Sequence, residues 1–262
     1  MAKDQRKGLA AVTGSSRGIG KAIALDLAEN GYDLILISRP SEMLSKTATE
    51  IAERTGRKVD IAHADLLDEA ACVKAVQHGE VDVLVNCGIY QANSMNERID
   101  SVTSEELRRT FQGNVLTQIA LTKAVLPSML NKKKGRIFQL VSSSSRVQPT
   151  RAIDKGGFQA FAYTASKTAI AKMVPLLALE FSEYKNIKFF NIDPGLVITD
   201  KMRNEGTASR FEKWGAVTPE HSAKLVTFLC DDTNLEKAQE FNGAEYVDAP
   251  KVAMQLNLIS KL

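Results

Sequence analysis

The feature that most constrains this chain is a series of short segments that are apolar along their whole length. Leu9-Ala10-Ala11-Val12-Thr13, Asp33-Leu34-Ile35-Leu36-Ile37-Ser38 and Val81-Asp82-Val83-Leu84-Val85-Asn86 show it best. A strand wetted on one face alternates apolar and polar residues, whereas an unbroken apolar run needs cover on both faces. Between these runs lie stretches with helical spacing: Ile19 to Glu29, Ser41 to Arg54, Asp68 to Val76, a long one from about Thr103 to Asn131, and Phe161 to Glu183. Further strands are expected at Lys58 to His63, Arg136 to Val141, Ile187 to Ile192 and Glu245 to Asp248. Thr103, three residues before Glu106, reads as a capping box, and Thr218-Pro219-Glu220 as a helix start with Thr218 at the N-cap. Parallel strands need long crossovers, and interleaved helices supply them. The pattern therefore predicts an α/β fold, a doubly wound parallel sheet of about seven strands with helices on both faces.

A length of 262 residues suits one domain over 1–262. The net charge of +3, from 34 basic and 31 acidic residues, lacks the clustered excess of a nucleic-acid binder, so no nucleic-acid partner is expected. The run Lys132-Lys133-Lys134 reads as a solvated helix C-terminus. Cys72, Cys87 and Cys230 are odd in number and far apart, which points away from disulfides and zinc and towards a reducing compartment. His63, His78 and His221 show no ligand spacing, and no metal site is expected. No apolar stretch reaches the roughly 18 residues of a membrane span, and Met1 to Lys7 lacks the apolar core of a signal peptide. Ser260-Lys261-Leu262 matches a peroxisomal import signal; without it a cytoplasmic location is expected.

In a doubly wound sheet, ligands bind at the carboxyl ends of the strands. The first strand runs into Thr13-Gly14-Ser15-Ser16-Arg17-Gly18-Ile19-Gly20 and then a helix. Glycines let the backbone turn tightly and approach a phosphate, and free amides at a helix start favour an anion. This loop is expected to hold a pyrophosphate through Gly14, Ser16, Arg17, Gly18, Ile19 and Gly20. The loop after the second strand selects the cofactor. A carboxylate there would bond the ribose of NAD, but this chain offers Ser38 and Arg39, with no acid until Glu42. With Arg17, Arg39 makes a site for the extra phosphate of NADP(H).

Tyr163-Thr164-Ala165-Ser166-Lys167 places a phenol and an ammonium one helical turn apart. A nearby ammonium is expected to lower the tyrosine pKa and fit the phenol for acid/base work at a carbonyl or alcohol. Ser142, at the end of the fifth strand, can hold the substrate oxygen, with Ser143 and Ser144 as alternatives. Asn114, inside a predicted helix, suggests a local distortion that could hold a water. The other segments open to substrate are Tyr90 to Asp100, Ser143 to Ala162 and a lid at 200–216 containing Met202, Phe211 and Trp214.

Taken together and in order, Thr13-Gly14-x-x-x-Gly18-x-Gly20, Asp65, Asn86, Asn114, Ser142, Tyr163-x-x-x-Lys167 and Pro194-Gly195 with Thr199 resemble the short-chain dehydrogenase/reductase family over nearly the whole chain. The resemblance implies a single Rossmann-type domain. It implies an NADP(H)-dependent oxidoreductase moving a hydride between nicotinamide and a carbonyl or alcohol. Tyr163 would be the acid/base, Lys167 would bind the nicotinamide ribose, Ser142 would orient the carbonyl and Asn114 would anchor a relay water. Asp65, Leu66 and Asn86 would lie near the adenosine half; Pro194, Gly195, Val197 and Thr199 would lie near the nicotinamide. A homodimer or homotetramer on the two long helices is implied, with a small-molecule carbonyl or alcohol as partner. A 3-oxoacyl thioester reductase of peroxisomal lipid metabolism and a non-catalytic NADPH-binding sensor or scaffold are the competing readings. The chain departs from the family at Asn86-Cys87-Gly88-Ile89, where Asn-Asn-Ala-Gly is usual, and at Asp248-Ala249-Pro250, where Asp-Gly-Gly is usual.

Overall fold

Seven strands form one sheet in the order β3-β2-β1-β4-β5-β6-β7, with every adjacent pair parallel. The strands are β1 (Gly8–Thr13), β2 (Tyr32–Ser38), β3 (Val59–His63), β4 (Val83–Asn86), β5 (Gly135–Leu140), β6 (Ile187–Asp193) and β7 (Val247–Asp248). This computed structural model describes residues 6–77, 79–91, 98–150, 160–198, 202–203 and 208–259. The expected α/β architecture is found, and the strand order reverses direction between β1 and β4.

Side-chain alternation along the buried strands explains why they read as continuous apolar runs. Val12, Leu34, Leu36, Val85, Phe138 and Phe190 meet one helical layer, with Ile23 and Leu27 of α1 (Gly18–Glu29) and Leu44 of α2 (Glu42–Thr55). Ala11, Ile35, Ile37, Leu84, Ile137 and Phe189 meet the other layer, with Cys72 and Val76 of α3 (Glu69–Gln77) and Leu121, Val125 and Met129 of α5 (Thr117–Lys132). Each fully buried Leu or Phe contributes roughly 1.5–3 kcal/mol over an exposed one. Phe138 and Phe190 stack across β5 and β6 with centroids 4.9 Å apart.

Several boundaries differ from the sequence expectations for local reasons. The stretch expected as one helix from Thr103 to Asn131 is α4 (Ser104–Phe111), a π-helical turn at Gln112–Leu116, and α5. Thr103 caps Glu106 N, but the Glu106 carboxylate accepts from the Tyr90 hydroxyl at 3.1 Å, so the expected capping box is tied into the β4 loop. The stretch from Phe161 to Glu183 is two helices, α6 (Phe161–Ala171) and α7 (Met173–Glu180), which part at Lys172. Pro175 lacks an N–H and its ring crowds the carbonyl four residues back, that of Ala171. Buried Asn191 of β6 donates to that carbonyl at 2.7 Å, so the break leaves no orphaned acceptor there. Thr218 makes no side-chain cap; the helix Glu220–Cys230 follows Pro219, and the Thr218 carbonyl accepts from His221 N. The Lys132–Lys134 run is not merely solvated: Lys132 pairs with Asp82 at 2.5 Å, and Lys134 pairs with Asp232. Lys133, the middle residue of the run, caps the C-terminus of α5 in the left-handed region, φ 53°.

Candidate functional site

A cleft of about 350 Å³ opens where the strand order reverses, at the carboxyl ends of β1, β2, β3 and β4. Gly14, Ser16, Arg17, Gly18, Ile19 and Gly20 form its first wall. Ser38, Arg39, Asp65 and Leu66 complete most of the expected adenosine side. Gly14 and Gly18 have φ of 66° and 56°, so both need the left-handed freedom of glycine. A Cβ on Gly14 would meet the backbone of Gly88 at 2.7 Å, and one on Gly20 would meet the Gly14 carbonyl oxygen at 2.4 Å. The backbone therefore packs as closely as it can around a cradle. Helix α1 begins at Gly18 with no side-chain cap, so its first amides and dipole face the cleft. A dinucleotide pyrophosphate fits this donor set.

Thr13 fixes the opposite wall. Its buried hydroxyl accepts from Cys87 N at 3.0 Å and Gly88 N at 2.8 Å, which holds the turn after β4 against the glycine loop. Cys87, Gly88, Ile89, Tyr90 and Gln91 line the cleft there. Asn86 does not. It is fully buried and donates to Thr122 Oγ1 at 3.3 Å, on the α5 side of the sheet. Its expected place near the cofactor is taken by Cys87 and Gly88, because strand alternation turns Asn86 towards the α5 layer.

The proton-handling candidates gather beside this cleft at the ends of β5 and β6. Ser142 stands beside the Tyr163 phenol and pulls its pKa down. Ser142 also caps the short helix Ser143–Ser145 and accepts from the Ser144 hydroxyl at 3.0 Å, so Ser142 is the serine of the three that meets Tyr163 with its position fixed. Lys167 is buried, and its Nζ donates to the Leu140 carbonyl at 2.7 Å. Asn114 lies in the π-helical turn, where the sequence suggested a distortion. Its amide accepts from Tyr90 N at 2.7 Å and donates to Ser166 Oγ at 3.2 Å, while Ser166 donates to the Tyr163 carbonyl. Asn114 thus joins the cleft wall to the helix that carries Tyr163. Gly113 permits this, since a Cβ there would stand 2.5 Å from Tyr90 Cβ.

The electrostatics correct one expectation. Lys167 does not bring the Tyr163 phenol down within the protein's own field. Burial pushes Tyr163 above its ordinary value; the Ser142 hydroxyl pulls it down and Asp193 pushes it up. Lys167 Nζ lies 6.0 Å from the Tyr163 ring centroid. Burial drives Lys167 itself down to about 8, opposed by Cys87 and Asp193. Helical spacing put the two residues on one face, but burial of that face outweighs their mutual attraction. Cys87 is pushed up to about 12, chiefly by burial, which favours the protonated thiol at neutral pH.

Pro194, Gly195 and Val197 follow β6. Gly195, φ 71°, packs against Pro250, so the departure at Asp248-Ala249-Pro250 buttresses this turn and starts the helix Ala249–Gln255. Val197 bridges in parallel to Val217. Thr199, Ser260, Lys261 and Leu262 lie outside the described residues, as do 92–97, 151–159 and parts of the 200–216 lid. Within the lid, Phe211 and Trp214 meet edge to face at 5.5 Å. Sequence reasoning missed Thr13 as a tie, the cleft residues Ile37 and Ala64, and Asp193. Thr13 stood in the quoted motif; the others carried no signal beyond their strand ends.

The sequence model for short chain dehydrogenases matches residues 8–210. The chain is 29% identical over 243 residues to the uncharacterized oxidoreductase Lmo0432 of Listeria monocytogenes, covering 88% of this chain and 93% of that one. It is 29% identical over 236 residues to human dehydrogenase/reductase SDR family member 4, covering 86% and 81% respectively. A Shigella flexneri protein described as a short chain dehydrogenase, in complex with NADP, superposes with a TM-score of 0.76 at 26% identity, covering 95% of this chain and 99% of that one.

Proposed function

Because the chain belongs to the short-chain dehydrogenase/reductase family, and is thereby an oxidoreductase, we propose that it is an NADP(H)-dependent reductase of ketones, or dehydrogenase of the matching secondary alcohols. The observation that carries this reading is the placement of Ser142, Tyr163 and buried Lys167, tied through Asn114 and Ser166, beside a glycine-lined cleft at the sheet's switch point. When bound, the cofactor supplies or accepts the hydride. Ser142 orients the substrate oxygen, and Tyr163 gives it a proton or takes one from it. Buried Lys167 holds the nicotinamide ribose and offers a nearby ammonium. Asn114 keeps the π-helical turn and Tyr90 in register. Preference for NADP(H) rests on Arg17 and Arg39 lining the cleft, with no carboxylate directly after β2. The NADP held by the Shigella relative supports it.

The test is NADPH oxidation over a panel of ketones, quinones and 3-oxoacyl thioesters, with Tyr163→Phe in parallel. Loss of a general acid costs about 10²–10⁴-fold in turnover, with NADPH still bound. Wild-type rates in the variant would show that the proton comes from another group. NADPH binding without turnover of any panel member would favour a sensor or scaffold. Two further proposals accompany this one. Exposed Leu176 and Leu179 on α7, 55% and 73% accessible, support a homo-oligomer, testable by sedimentation. Ser260-Lys261-Leu262 supports peroxisomal import, testable by deleting the tripeptide from a fluorescent fusion.

A further inference from the structure

Asp193 takes no part in the chemistry described so far, yet its two oxygens reach different halves of the site. It ends β6 with its side chain 6% exposed. Oδ1 accepts from the Gly195 amide at 3.0 Å, which fixes the Pro194-Gly195 turn. Oδ2 faces Arg146 at 3.6 Å. Arg146 closes the short helix that Ser142 opens. Its guanidinium lies over Tyr246, with Cζ 3.4 Å from the ring centroid, and Tyr246 leads into β7.

We propose that Asp193 is a positioning residue that locks the Ser142–Tyr163 half of the site to the Pro194-Gly195 half through Arg146. The proposal rests on the oxidoreductase reading above for what the two halves do. A surface ion pair alone contributes little. Here one partner is buried and the other is seated over an aromatic ring, so both sides of the pair are constrained. The carboxylate is specifically required. An amide oxygen could keep the Gly195 bond, but its NH₂ group would then face the guanidinium, donor to donor.

The charged and titratable surroundings support this. Around the carboxylate stand Arg146 from the β5 loop and Asp248 of β7, while Tyr163 and Lys167 of α6 face it across the site, with Cys87 behind Lys167. Burial pushes the Asp193 carboxyl above its ordinary value, and the Gly195 amide and Arg146 pull it back. Its charge in turn raises Tyr163 and Lys167.

The experiment uses Asp193→Asn, Arg146→Gln, their double variant and Arg146→Lys. Amide hydrogen exchange is followed at 143–147 and 195–198. NADPH binding is read by its fluorescence, and kcat/KM is measured against pH with menadione and acetoacetyl-CoA as probes. Each of the first two variants is expected to speed exchange in both turns and weaken NADPH binding by about 3–10-fold, near one kcal/mol. The double variant should be no worse than the worse single, and Arg146→Lys should recover part of the loss. In Asp193→Asn the alkaline limb should move to lower pH, because the anion that raises Tyr163 and Lys167 is gone. Exchange that speeds only at 195–198, losses that simply multiply in the double variant, or an unmoved alkaline limb would each overturn the proposal. Should Asp193→Asn not fold, Arg146→Gln reads the same link from its exposed end. Wild-type turnover in Tyr163→Phe would instead sink the reading of the site, and the exchange result would still judge the link.

Discussion

Replacing Gly20 with Ala should damage cofactor binding more than stability, and the structure sets the scale. The added Cβ would stand 2.4 Å from the Gly14 carbonyl oxygen and 2.8 Å from its carbon. Favourable non-bonded contact begins near 3.5 Å, so the methyl arrives about 1 Å too close. Both opposing atoms are backbone, and no rotamer change relieves the overlap. Helix α1 must move away from the glycine loop, although Ile23, Ala24 and Leu27 are fully buried against the sheet. Overpacking of this kind costs about 1–3 kcal/mol, and the better helix propensity of Ala returns up to about 1 kcal/mol. A net loss of about 1–2 kcal/mol follows, visible as a lower urea midpoint with an unchanged slope. The same movement carries the α1 amides away from the phosphate position. Losing a charge-assisted amide contact to a phosphate costs about 1.5–3 kcal/mol, so affinity in an NADPH fluorescence titration should fall about 10–100-fold. Affinity within about threefold of wild type, about 0.7 kcal/mol, would refute the view that this close approach sets the phosphate cradle.

Three further predictions concern the site and its support. Arg39→Asp should cut the NADPH/NADH preference by about 10–100-fold, the scale of one charge-assisted hydrogen bond; an unchanged ratio of kcat/KM values would show that Arg39 does not read the phosphate. Lys167, driven down to about 8 by burial, binds fewer protons folded than unfolded between pH 8 and its ordinary value of 10.5. It therefore makes stability rise with pH across that window. The thiols of Cys72, Cys87 and Cys230, pushed up to about 12, act in the opposite sense. The Lys167 contribution is thus the difference between wild type and Lys167→Met in urea midpoint against pH, and equal slopes would contradict it. Asn191→Ala should cost about 1–3 kcal/mol, because it removes the two hydrogen bonds that buried Asn191 donates to the Ala171 and Glu245 carbonyls at 2.7 and 2.9 Å; a loss under about 0.5 kcal/mol would mean the α6–α7 break needs no partner.

The sequence by itself determined the sheet, its parallel sense and the place of the first loop. Apolar runs such as Leu34-Ile35-Leu36-Ile37 carry burial on both faces in the residues themselves, and glycines such as Gly14 and Gly18 carry the left-handed turns in their lack of a Cβ. It also brought Tyr163 and Lys167 to one helix face through spacing alone. The tertiary structure decided what depends on neighbours distant in the chain. Asn86 turned away from the cleft because strand alternation in β4 points it at the α5 layer, and α6 parted from α7 where Asn191 could donate to the Ala171 carbonyl. The protonation of Tyr163 and Lys167 was beyond the sequence too, since desolvation belongs to the surrounding fold, not to either residue. Asp193 is the plainest case: one carboxylate gains its meaning only when Arg146, 47 positions earlier, and Gly195, two positions later, are folded onto its two oxygens.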